Sequence, residues 1–146
     1  MQTIVLDANI AVKILHDEHD SRIAQQFLTA CADKKSRILV PEHFLYELVN
    51  VSKRLGVDTE NVLRLFDAMM GSILTVARPE RSTWLLAEKI ADDGHEKSGF
   101  PTMYDSIYHA LAIESEAVFV TADKRHYVKS GHHSNISLLE NWESLL

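Results

Sequence analysis

A chain of 146 residues with 46% hydrophobic and 25% charged residues has the size and balance of one folded domain, which excludes a disordered or fibrous protein. Its net charge of -6, from 15 Lys+Arg against 21 Asp+Glu, excludes nucleic-acid binding by bulk positive charge and leaves that task to local basic patches. No apolar stretch approaches the roughly 18 residues of a membrane-spanning helix, the amino terminus carries no basic-then-apolar leader, and the single Cys31 excludes an internal disulfide, so a cytoplasmic protein with no membrane partner is expected.

In chain order, the apolar run "TIVL" at 3–6 predicts a buried strand; Asp7 follows it directly, ahead of a helix starting near Ala8. Ile23, Phe27 and Ala30 recur at helical spacing and predict a helix from about Ser21 to Lys34, with Cys31 as a small buried residue, before the strand "RILV" at 37–40. "PEHFLYELVNVSKRLG" (41–56) opens with Pro41 near a helix start and closes on Gly56 as a C-cap. Asp58 and Thr59 begin another helix, with Val62, Leu65, Phe66 and Met69 on one face, and "SILTVA" (72–77) is the third strand. After a helix from about Ser82 to Asp92, the polar stretch "DDGHEKSGFPT" (92–102) reads as a loop with freedom to move. "MYDSIYHALAIESE" (103–116) is helical, with Tyr104, Ile107, Tyr108 and Leu111 as its stripe, and "AVFVTAD" (117–123) returns to strand. A short strand at Ile136 and Leu138 and a terminal helix close the chain. The alternation predicts one α/β domain over 1–146, a sandwich with a central, mostly parallel sheet of about four to five short strands and helices on both faces.

Two acids follow strands in the same manner, Asp7 after "TIVL" and Asp123 after "VFVT", and both should face the carboxyl edge of the sheet, where such folds bind ligands. Each also fits a plain N-cap. Glu47 falls within or beside the core-facing stripe of its helix, where a carboxylate needs a partner: a metal, or one of the bases Lys53 and Arg54. Asp105 completes a capping-box pattern with Thr102, which alone accounts for it, yet the helix dipole there also keeps an acid ionised. Taken together, carboxylates converging on one edge repel one another unless a cation sits among them. Hard oxygen donors select Mg²⁺ or Mn²⁺, and the natural chemistry is attack of water on a phosphodiester.

"VLDANI", "PEHFLYELVNV", "YDSIYHALA" and "VFVTADKRHY", in that order, resemble the motifs of PIN-domain ribonucleases, most closely the VapC-like toxins of bacterial and archaeal toxin–antitoxin pairs. The resemblance spans almost the whole chain. It implies a doubly wound α/β/α sandwich and an acidic Mg²⁺/Mn²⁺ site in which Asp7, Glu47, Asp105 and Asp123 match the acidic quartet, both as metal ligands and as catalytic groups. It also implies support for that site from Asn9, Asn50 and Thr121, an RNA substrate, a cognate antitoxin protein and a homodimer. His109 stands where an aliphatic residue is common and is expected to be structural.

On this reading Asp7, Asp105 and Asp123 hold the metal and Glu47 ligates it or orients the attacking water, while Lys53, Arg54, Lys124 and Arg125 are either contacts to the phosphate backbone or ordinary solvated surface. Eight histidines, notably in "HDEH" (16–19) and "GHHSN" (131–135), lie in polar segments without a cysteine partner, so a zinc site is not expected. A receiver domain normally opens with paired acids and a haloacid-dehalogenase-like phosphatase with Asp-x-Asp; "LDANI" is neither. The alternative of another class is a PIN-like module that binds RNA or protein without cutting.

Overall fold

Ile4, Val5 and Leu6 have no exposed surface because β1 (Thr3–Leu6) lies in the middle of the sheet, covered on both faces, which is why its apolar run is continuous rather than alternating. A computed structural model describes residues 2–146. After β1 come α1 (Ala8–Leu15), α2 (Ser21–Asp33), β2 (Arg37–Pro41), α3 (Phe44–Arg54), α4 (Thr59–Met70) and β3 (Leu74–Ala77). The second half runs α5 (Arg81–Ala91), α6 (Met103–Glu114), β4 (Val118–Thr121), α7 (Lys124–Ser130), β5 (Ile136–Leu138) and a final 3-10 turn, Leu139–Ser144.

The five strands are all parallel, in the order β3-β2-β1-β4-β5. β1 sits between β2, with Ile4 opposite Ile38, and β4, with Val5 opposite Phe119. From β1 the chain first winds outward to β3 and then returns across to β4 and β5. Right-handed crossovers therefore put α1 to α4 on one face and α5 to α7 on the other. This is the expected α/β sandwich with helices on both faces.

Differences from the predicted elements are local. Pro41 ends β2, paired with Ala77, and α3 begins only at Phe44; a residue without an N–H fits the last place of a strand as well as the first of a helix. Gly56, at φ 81, does follow α3 in the left-handed conformation expected of a helix stop. Tyr104 is 68% exposed and leaves the predicted stripe of α6. Instead Ser106 to Ala112 are buried without interruption, because α6 packs on β1, β2 and β4 on one side and on α5 on the other. The terminal helix is of 3-10 type with a kink at Asn141. Cys31 is buried in the core, and its thiol is pushed up to about 12 by burial.

Candidate active site

At β1 the winding reverses, so the loops that leave β1 and β4 part in opposite directions, and the carboxyl edge between them is the switch point at which such folds form a ligand crevice. Asp7 leaves β1 into this crevice. Its backbone N–H still bonds Val120 O at 3.1 Å, extending the ladder, and its side chain is only 6% exposed. Both of its oxygens are held: Oδ2 accepts from Thr121 Oγ1 at 2.7 Å and Oδ1 accepts from Asn9 N at 3.2 Å, the latter being the N-cap bond of α1. Asn9 Nδ2 reaches Thr121 Oγ1 at 3.5 Å, and Asn9 Oδ1 accepts from Ala122 N at 3.4 Å, so Asn9 bridges the two strand ends. Thr121 Oγ1 also accepts from Asp123 N at 3.1 Å. Asp123 itself is exposed and caps α7, with Oδ1 accepting from Arg125 N at 2.9 Å and His126 N at 3.2 Å.

The other two acids come from helix starts. Glu47, in the first turn of α3, accepts from the buried Tyr108 hydroxyl at 3.3 Å and lies 3.2 Å from His43 Nε2. Burial and the surrounding carboxylates push the Tyr108 phenol up, so it remains a donor. Asp105, in the first turn of α6, donates its backbone N–H to Thr102 Oγ1 at 3.2 Å. The reciprocal bond of the capping box, from Thr102 N to the Asp105 carboxylate, is absent among the described residues, which leaves that carboxylate free for the crevice. It approaches the buried His126 ring at 3.6 Å.

The electrostatics tie the four acids together, Asp7, Glu47 and Asp105 with one another and Asp123 through Asp105. Burial first, and the Asp105 and Glu47 charges after it, push Asp7 up to about 7 against the opposing pull of its bonds to Thr121 and Asn9. Asp105 is raised by burial and by Glu47 and Asp123, with His126 pulling the other way; burial in turn lowers His126. These are carboxylates that want a counter-charge, and their oxygens are the hard donors that Mg²⁺ and Mn²⁺ prefer. They do not close into a compact ligand set, since the one group of three candidate ligands within 4.8 Å among the described residues is Asp93, His132 and His133. An ion that keeps several of its own waters suits the wider spacing.

The remaining predicted residues divide. Lys124 and Arg125 stand exposed in the first turn of α7, beside the crevice, with Lys124 3.6 Å from Glu140. Lys53 and Arg54 do not stand there: α3 runs away from the carboxyl edge, and at 1.5 Å per residue they lie about 10 Å further along it than Glu47. Asn50 is exposed and makes no side-chain hydrogen bond to Glu47; it lines a groove with Leu45, Tyr46, Val49 and Phe66. His109 is fully buried, with Nε2 2.6 Å from Ser134 O, and burial lowers it to about 4, as suits a structural histidine. His43, Tyr108 and His126 are the residues that sequence reasoning missed. Their signals were present: His43 precedes Glu47 by one helical turn, Tyr108 follows Asp105 by one turn, and His126 falls in the turn that Asp123 caps.

A family model described as "PIN domain" matches residues 4–131. Among curated protein sequences none matches the chain significantly. Among solved structures, VapBC2 from Rickettsia felis, bound to a DNA fragment from its promoter, is similar with a TM-score of 0.68 and 17% identity over 94% of this chain and 97% of that one. DNA-bound VapBC from Salmonella typhimurium gives a TM-score of 0.69 and 15% identity over 95% and 99%. VapC20 from Mycobacterium tuberculosis, described as a sarcin-ricin loop cleaving toxin, gives 0.63 and 10% over 78% and 84%. With its sheet order, its acid-lined crevice and a family match over most of its length in agreement, the chain belongs to the PIN-domain family.

Proposed function

We propose that this PIN-domain protein is a Mg²⁺- or Mn²⁺-dependent endoribonuclease and the toxin of a toxin–antitoxin pair. The observation that carries the reading is Asp7: a buried carboxylate at the switch point of the sheet, surrounded by other acids yet with both oxygens fixed by Thr121 and Asn9. A lone cap needs neither the burial nor the neighbouring charges. The resemblance to VapBC assemblies and to a toxin that cleaves the sarcin-ricin loop supports the same reading.

Asp7, Asp105 and Asp123 would hold the ion, with Glu47 as a further ligand or as the group that orients the attacking water. When bound, the ion supplies a Lewis acid that eases deprotonation of water and offsets charge growing on the phosphate. Thr121 and Asn9 keep Asp7 in one rotamer, and Tyr108 and His43 do the same for Glu47. Lys124 and Arg125 provide the positive charge that an RNA backbone requires at the mouth of the crevice. A homodimer is supported by Trp84 and Leu85, which leave an apolar face exposed on α5. The partner in the cell is an antitoxin protein that blocks the crevice.

Labelled RNA incubated with the purified chain should be cut in Mg²⁺ or Mn²⁺ and spared in EDTA, and expression should arrest growth until the product of a neighbouring small reading frame is supplied. RNA that stays intact with either ion, together with normal growth on expression, would instead support a binding module.

A further inference from the structure

Away from the acid crevice, two stretches of the chain that carry no predicted role meet at three side chains. Asp93 follows the end of α5, and His132 and His133 follow Gly131, the C-cap of α7. His132 Nε2 lies 3.0 Å, and His133 Nε2 3.3 Å, from the same oxygen, Asp93 Oδ2. The three ligand atoms all lie within 4.8 Å of one another. In a zinc site with bonds of about 2.0–2.2 Å, neighbouring donors are separated by about 3.3 Å. Two edges of the triangle thus already match the spacing of donors around one ion.

An ordinary surface ion pair accounts poorly for this arrangement. Two imidazoles aim at one oxygen, and their rings lie 4.3 Å apart between centroids, tilted by 40°, so protonating both would set two cations against each other. His133 Nε2 is buried and makes no hydrogen bond, although it points into the cluster. Its ring is also positioned from behind: it meets His109 edge to face at 5.9 Å, and His109 is anchored on the carbonyl of Ser134. On the other side, the loop that bears Asp93 is folded back on itself by the His95–Gly99 bridge. Gly94 permits that fold, since a Cβ there would stand 2.4 Å from Gly99 O.

The geometry points to a transition-metal site formed by Asp93, His132 and His133, with zinc as the ion and water as its fourth ligand. Two imidazoles and a carboxylate suit zinc and its neighbours in the first transition row, whereas Mg²⁺ asks for oxygen donors. The site clasps the loop that leads into α6, the helix of Asp105, to the end of α7, the helix that Asp123 caps. It holds whether or not the crevice cleaves RNA.

The test uses the full chain in excess Mg²⁺, to compete for the oxygen donors of the crevice, and adds Co²⁺ as a coloured stand-in, followed by Zn²⁺. One Co²⁺ per chain should bind with visible absorption bands, Zn²⁺ should displace it, and Zn²⁺ should raise the melting temperature. His132→Ala and Asp93→Asn, both at exposed positions, should weaken the binding by about 10- to 100-fold or more while melting like the parent chain in EDTA. Asp7→Asn should leave it unchanged. Absence of saturable Co²⁺ and Zn²⁺ binding in the parent chain would overturn the proposal. So would binding that Asp7→Asn abolishes and His132→Ala spares, which would put the ion in the crevice.

Discussion

The two sides of the acid crevice are built differently. On the strand side, Asp7 and Asp123 leave β1 and β4 and are bound to each other's loops through Thr121 and Asn9, with backbone N–H groups completing the set. On the helix side, Glu47 and Asp105 project from the first turns of α3 and α6, half-buried, and lean on side chains alone: His43, Tyr108 and His126. A parallel sheet fixes its strand ends to within the register of its ladder, so the strand side is rigid by construction. A helix can tilt or slide slightly on the sheet, so the helix side needs long-range partners to define it. Functional cost should therefore be concentrated on the strand side, whereas the loss of a single partner on the helix side should be tolerated.

The largest expected effect is on Asp7 and Asp123. Replacing either by Asn should slow RNA cleavage by about 100-fold or more, against the parent chain at saturating Mg²⁺; equal rates would remove the strand side from the site.

Next is a pH effect on stability in EDTA. The Asp7 pKa of about 7 in the folded chain exceeds the 3.8 of the unfolded one, so its proton stabilises the fold fully below about pH 4, and this stabilisation is lost as pH rises through 7. His109 works in the opposite sense. Lowered from 6.5 to about 4, it costs stability as pH falls below about 6.5. Comparing Asp7→Asn with the parent chain cancels His109. By pH 8 the variant should be the more stable in urea unfolding, by at most about 4 kcal/mol, with the gap closing toward pH 4 and also on adding Mg²⁺. A constant gap would mean that Asp7 carries no strain from its neighbours.

Thr121→Val should lower metal affinity by about 10- to 100-fold, because it unlocks Asp7 and the Asp123 amide together, and Thr121→Ser should restore most of it. On the helix side, Tyr108→Phe removes one hydrogen bond worth about 1 kcal/mol and should cost less than tenfold in cleavage. If Tyr108→Phe proved as damaging as Thr121→Val, the contrast between the two sides would collapse. Asn50→Ala, at an exposed site without a bond to Glu47, should change cleavage hardly at all.

What was legible in the sequence follows from the same contrast. The strand ends could be read because an apolar run stopping on an acid is a local pattern, and Asp7 and Asp123 each carry it within a few residues. The parallel sheet with helices on both faces followed from the alternation of elements, whereas the strand order and the reversal at β1 did not, because no local pattern says which strands become neighbours. Partnerships between helices were not legible in the same way. That Glu47 rests on Tyr108 depends on how α3 and α6 meet over the sheet edge, which no local pattern encodes. Asn50 came with the resemblance, and Lys53 and Arg54 with their place on the helix of Glu47, but along a helix nearness in sequence is distance along an axis. The histidines of "GHHSN" were noticed but not expected to bind zinc, because the carboxylate they meet, Asp93, stands 39 residues before His132 and no local pattern joins them.

The most direct test of the acid crevice as a cation site is a Mn²⁺ titration at pH 7.5, followed by electron paramagnetic resonance, on the His132→Ala/His133→Ala background that removes the histidine cluster. Saturable Mn²⁺ binding that weakens at least tenfold when Asp7→Asn is added is the predicted result. Equal Mn²⁺ affinity with Asp or Asn at position 7, or no saturable binding at all, would contradict it.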